Sequence, residues 1–168
     1  CIDNTFSITT SVAGTSAVNN AAVGVTIRNC TINATGNGSI GISSSRRINV
    51  VNNTITAPNN GKGVNLTGSS MSSSSITNNI ISASQVGGAS YGVDIANGTP
   101  DISGITITGN NFCGGNQWAI RILEPANAGT FTSTSNTCNP GTCMHAAGVS
   151  SQVCIISSGT TGDCANSC

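Results

Sequence analysis

Aliphatic and polar residues alternate along five segments of the chain, and each segment repeats the same order. They are Val25–Ile32, Ile48–Ile55, Ser74–Ile81, Ile105–Phe112 and Phe131–Cys138, and their starts lie 23, 26, 31 and 26 residues apart. The first and third positions are mostly apolar: Val25 and Ile27, Ile48 and Val50, Ile105 and Ile107. The last position is Ile32, Ile55, Ile81, Phe112 or Cys138. A period of two predicts strands with one buried face. A unit that recurs at this length predicts a solenoid, in which like residues of successive turns form columns.

The fifth and sixth positions of each segment separate two short strands and predict a sharp bend. The sixth reads Cys30, Asn53, Asn79, Asn110 and Asn136. Asparagine tolerates the left-handed backbone of a tight corner. Stacked asparagines can also hydrogen-bond along the stack, so Asn53, Asn79, Asn110 and Asn136, together with Asn4, are expected to form a ladder. Asn4 precedes Cys30 by one repeat and predicts a partial turn over residues 1–8.

A third strand is expected between the segments. It reads Gly41–Ser44, Gly63–Leu66, Gly92–Ile95, Ala119–Ile122 and Gly148–Ser151, with a small residue before an inward aliphatic in each. The expected fold is therefore all-β: a parallel β-helix of about five to six rungs with three short strands each. Residues 1–137 form the rungs, and residues 138–168 form a cysteine-rich C-terminal cap on the same domain.

Composition narrows the setting. Only 6% of residues are charged and the net charge is zero, which offers no basic surface to nucleic acid. No apolar run is long enough to span a membrane. Eight cysteines in a small chain predict disulfides and an oxidising, extracellular compartment. They are Cys1, Cys30, Cys113, Cys138, Cys143, Cys154, Cys164 and Cys168, and their pairing is open. The lone histidine, His145, and the loose cysteine spacing argue against zinc. No metal or cofactor is expected. Six N-glycosylation sequons occur, at Asn29, Asn33, Asn37, Asn52, Asn65 and Asn97. Glycan would supply the hydration that charges do not.

The order Gly-aliphatic-x-aliphatic, aliphatic-x-aliphatic, Asn-Asn-x-Ile resembles the right-handed parallel β-helix of pectate-lyase-like proteins over roughly residues 1–156. That resemblance implies the fold. It does not carry over an active site. The Gly-His-Gly and Arg-x-Lys motifs of the hydrolase branch are absent, and Arg121-Ile122-Leu123 departs from the second. The acids Asp3, Asp94, Asp101, Glu124 and Asp163 are scattered, unlike the clustered calcium ligands of the lyase branch.

One constellation has chemical content. Asp94 and Arg121 occupy the same outward position in successive turns, and Tyr91, Trp118 and Glu124 lie near the same strand ends. Aromatics beside a charge pair suit a sugar-binding groove, and Asp94, Arg121 and Glu124 are weak catalytic candidates. The plainer expectation is a surface ion pair beside a packed Trp. Outward Thr26, Thr77, Thr106, Thr108, Thr132 and Thr134 form rows that suit either an ice-binding face or an ordinary exposed strand. The expected function is a secreted, non-catalytic structural solenoid. Either a second copy, stacked head to tail, or a preceding domain is expected to cover its N-terminal end. The alternatives are a carbohydrate-active enzyme or binding module, and an ice-binding protein.

Overall fold

The computed structural model describes residues 7–69, 71–83, 90–95, 101–113, 118–122, 130–138, 154–156 and 161–164. The strands come in sets of three. Ser7–Thr10 (β1), Ser16–Asn20 (β2) and Val25–Arg28 (β3) are followed by Thr31–Ala34 (β4), Ile40–Ser44 (β5) and Ile48–Val51 (β6). Thr54–Ala57 (β7), Lys62–Leu66 (β8) and Ser75–Thr77 (β9) lie over these. Next come Ile80–Ala83 (β10), Tyr91–Ile95 (β11) and Ile105–Thr108 (β12). Asn111–Cys113 (β13), Trp118–Ile122 (β14) and Thr130–Thr134 (β15) continue the coil. Thr137–Cys138 (β16), Cys154–Ile156 (β17) and Thr161–Cys164 (β18) end it.

Every third strand pairs in parallel, giving three six-stranded sheets: β1-β4-β7-β10-β13-β16, β2-β5-β8-β11-β14-β17 and β3-β6-β9-β12-β15-β18. This is a β-solenoid, as the alternation predicts. Ile32, Ile55, Ile81 and Phe112 are successive partners in the first sheet. Ile42, Val64, Val93 and Ile120 form the matching column of the second. Val50, Ile76 and Ile107 do so in the third. All are fully buried in one continuous core. Burying each such side chain contributes about 1.5–3 kcal/mol, so a thin aliphatic interior suffices without a large aromatic core.

The corner between the third sheet and the first is always two residues long. The expected roles of those two residues need correction. The left-handed backbone falls on the first of the pair, at Asn29, Asn52, Asn78, Gly109 and Ser135, with φ between 54° and 67°. The second residue points inward. Asn53 Nδ2 donates to Asn79 Oδ1 (3.0 Å), Asn79 to Asn110 (2.9 Å) and Asn110 to Asn136 (2.9 Å). The backbone N–H groups of Cys30, Asn53, Asn79 and Asn110 donate to the same Oδ1 atoms, at 2.8–3.0 Å. The amides also donate to the carbonyls of Ile27, Val50, Ile76 and Ile107. The ladder expected from the stacked asparagines is therefore present, and it satisfies backbone groups that the corner would otherwise leave unpaired.

Three further differences concern strands. Ser16–Asn20 forms β2, although only Ala17 and Val18 are apolar there. Its pairing with β5 supplies what its own pattern lacks. The last strand of the second sheet is Cys154–Ile156, paired with β14. The expected strand Gly148–Ser151 lies outside the described residues. Residues 161–164 pair with β15. The solenoid register thus continues into the segment 138–168, which was expected to break the repeat as a cap. Its short strands carry too few alternating aliphatics to announce it. Asn4 also lies outside the described residues.

Candidate functional site

The outer face of the second sheet holds the charged cluster. Register places Lys62, Tyr91 and Trp118 in one column and Asn65, Asp94 and Arg121 in the next. Gly63 and Gly92 lie beside these columns where neighbouring strands approach closely. A Cβ at Gly63 would meet the Ile81 side chain and would lie 2.6 Å from the Gly92 carbonyl oxygen. Only glycine fits there. Lys62 and Asn65 come together beside Gly63, with Lys62 Nζ 3.2 Å from Asn65 Oδ1.

Arg121 grips Asp94 with two bonds: Nε to Oδ1 at 2.7 Å and Nη2 to Oδ2 at 2.8 Å. Its Nη1 donates to the Tyr91 hydroxyl at 2.7 Å, and its Cζ lies 3.6 Å from the Tyr91 ring centre. Lys62 Nζ lies 2.6 Å from Asp94 Oδ2 and donates to Asn65 Oδ1 at 3.2 Å. The Asp94 side chain is 0% exposed, against 24% for Lys62 and 20% for Arg121. Burial alone would lower the Arg121 pKa. The hydrogen bonds and charge of Asp94, with Tyr91 adding to them, outweigh burial and raise it.

The expectation of a surface ion pair is corrected in two ways. Asp94 is fully buried, and it faces two cations rather than one. Lys62, just before the expected strand Gly63–Leu66, opens β8. The signal was available: Lys62 stands two residues before Val64 as Tyr91 stands two before Val93. The side chain of Trp118 and all of Glu124 lie outside the described residues, so the acid–base role expected of Glu124 and the sugar-stacking role of Trp118 have no geometry here. With both oxygens engaged, Asp94 has no lone carboxylate edge turned to solvent.

Two grooves lie elsewhere among the described residues. One of about 370 Å³ is lined by Ala34, Thr35, Asn37, Thr56, Ala57, Pro58 and Asn59, none of them titratable. Another, of about 530 Å³, is lined by Gly24, Val25, Thr26 and Arg28. Asp101, whose pKa is lowered chiefly by the Ser103 backbone N–H, is exposed and apart from the cluster. Among the described residues no group of three His, Cys, Asp or Glu could hold a metal, and no helix is long and apolar enough to cross a membrane.

The threonine rows are in register. Thr26, Asn49, Ser75, Thr106 and Thr132 form one outward column of the third sheet, and Arg28, Val51, Thr77, Thr108 and Thr134 the other. Asn49, Val51 and Arg28 interrupt them, and Asn49 bonds to both Thr26 and Ser75 at 3.3 Å.

Of the sequon asparagines, Asn29, Asn37 and Asn52 are exposed and Asn33 is half-buried. Asn65 is buried, which leaves no room for a glycan. Asn97 lies outside the described residues. Cys30 is disulfide-bonded. Cys113, Cys138, Cys154 and Cys164 are placed by their strands but not by their side chains, and Cys1, Cys143 and Cys168 lie outside the described residues.

Comparison with known proteins adds no relative: no family model, curated protein or solved structure matches the chain.

Proposed function

We propose that this protein is a non-catalytic structural β-solenoid of an extracellular, oxidising setting. In this reading it is cross-linked by disulfides and carries glycan on its exposed corners. The observation that carries the proposal is the state of Asp94. A catalytic carboxylate must reach its substrate, whereas this one is fully buried and held by Arg121 on both oxygens and by Lys62 on one. The outward rows of Thr, Ser and Asn support a surface that interacts through hydroxyls and amides rather than charge. Kinship with the pectate-lyase-like parallel β-helices belongs to the same proposal. The coil of three parallel sheets supports it, without the enzymatic branches' chemistry.

The N-terminal edges are covered either by a second copy stacked head to tail or by a preceding domain. At the N-terminal end, β2 and β3 are the last strands of their sheets, and among the described residues nothing pairs with their outer edges. Such an edge is a template for another strand. A contact that repeats without closing makes a filament. Electron microscopy of the purified protein at high concentration tests this. Filaments with strands running across their axis are expected. Monodisperse single particles would remove the assembly. Turnover of a polysaccharide that is lost in Asp94→Ala would replace the structural reading with the enzymatic one.

A further inference from the structure

We propose that Lys62 and Asn65 become joined by an amide bond between their side chains, with Asp94 as the proton carrier. The three groups such a bond requires are already together. The Lys62 amine nitrogen lies 3.2 Å from the carboxamide oxygen of Asn65 and 2.6 Å from Asp94 Oδ2. Asn65 is 5% exposed, so water competes poorly at its carbonyl carbon. The Asp94 side chain is fully buried, and a carboxylate between an ammonium and an amide is placed to move protons from one to the other.

Charge supplies the driving force. The cluster sets two cations, Lys62 and Arg121, against one carboxylate. Surplus charge near a buried site is unfavourable. Turning the ammonium into a neutral amide leaves Arg121 and Asp94 as a balanced pair. The new amide N–H can still donate to Asp94.

The step balances as follows. Lys62 passes a proton to Asp94, and the free amine attacks Asn65 Cγ. A C–N bond forms, and the bond from Cγ to Nδ2 breaks. Asp94 relays the two protons shed by the lysine nitrogen to the departing nitrogen, which leaves as ammonium. The carboxylate ends as it began, and nothing is oxidised or reduced. Proton transfer from an ammonium to a carboxylate is uphill, so the reaction is slow. It needs to occur only once per molecule, and escape of ammonium past the partly exposed Lys62 makes it irreversible. Asp94 itself is the poorer acceptor for the amine. It is gripped as a carboxylate on both oxygens, and no other described carboxylate joins the cluster to relay its protons.

The test is mass spectrometry of the full chain after incubation at neutral pH, reduction and denaturation. Lys62 is the only lysine, so the result is unambiguous. The expected product is lighter by one ammonia and resists trypsin after Lys62, with the loss confined to the peptide holding Lys62 and Asn65. Ammonia lost by ring closure at an Asn-Gly pair would leave Lys62 cleavable. Asp94→Asn should retain the full mass and the cleavage. Lys62→Arg gives the same control in a variant that keeps the charge. Unchanged mass with normal cleavage overturns the proposal, and so does loss of one water, which would mean a link from Lys62 to Asp94.

Discussion

Asn79 Nδ2 lies 2.9 Å from Asn110 Oδ1, although 31 residues of chain separate them. Asn79 Oδ1 in turn accepts the backbone N–H and the amide of Asn53, at 2.8 and 3.0 Å. One side chain therefore ties three successive turns together at a buried corner. An unsatisfied buried donor costs about 1–3 kcal/mol. Asn79→Ala strands the backbone N–H of Asn53, whose amide keeps the carbonyls of Ile27 and Val51, and is expected to cost about 1–3 kcal/mol in chemical denaturation. Asn79→Asp should be as damaging or worse, because a carboxylate cannot donate to Asn110. The adjacent Asn78, at φ 55°, should behave oppositely. Asn78→Gly is expected to stay within about 1 kcal/mol of the parent, since glycine adopts that backbone freely.

Gly63 predicts a clash that repacking cannot cure. Gly63→Ala is expected to cost about 1–3 kcal/mol by overpacking. Part of the clash is with the Ile81 side chain, and part is with the Gly92 carbonyl at 2.6 Å. Shortening Ile81 to Ala relieves only the first. The double variant should therefore melt no higher than Gly63→Ala, and full recovery would show that the backbone can move aside.

Asp94→Ala leaves two partly buried cations without their partner and is expected to cost about 3 kcal/mol, the low end for a buried pair. Replacing the charges together should cost far less. The combination Asp94→Val, Arg121→Leu and Lys62→Met is expected to recover most of that loss. Denaturant midpoints of the two proteins, compared with the parent, check the difference. If the combined variant is as unstable as the single one, the cluster acts through its shape and not its charge balance.

Peptide mapping without reduction should find Cys30 in a disulfide with neither Cys113 nor Cys138. Cys113 lies in the same sheet as the strand after Cys30, but three strands further along the stack. At about 4.8 Å per strand that is roughly twice the Cα separation of about 4.4–6.8 Å that a disulfide allows. Cys138, in the next strand of that sheet, is farther still. Reducing this bond should lower stability by about 3 kcal/mol, by freeing the unfolded chain. A peptide linking Cys30 to Cys113 or Cys138 would show that the stacked strands do not set this pairing.

The solenoid was legible because its core is linear: Ile55, Ile81 and Phe112 repeat in sequence as they stack in space. The ladder was legible for the same reason. The two jobs of the corner were not separated, because asparagine serves both the left-handed turn at Asn52 and Asn78 and the inward ladder at Asn53 and Asn79. Residue type alone cannot say which of two adjacent asparagines points inward. β2 and β17, the two edge strands of their sheet, were missed because pairing with one neighbour's backbone holds each of them whatever its own pattern. The Asp94 and Arg121 pair was legible from register, whereas its burial was not. Alternation assigns a face, and what covers that face lies far away in sequence.

The constant two-residue corner has a consequence for change over evolutionary time. The other two corners differ in length from turn to turn, while the asparagine column stays aligned. Insertions at those corners leave the alignment untouched, since each turn is indexed afresh at its next asparagine. The molecule can therefore diversify along two of its three ridges while conserving one. Foreign loops should be grafted between the first and second sheets or between the second and third, and never between the third and the first.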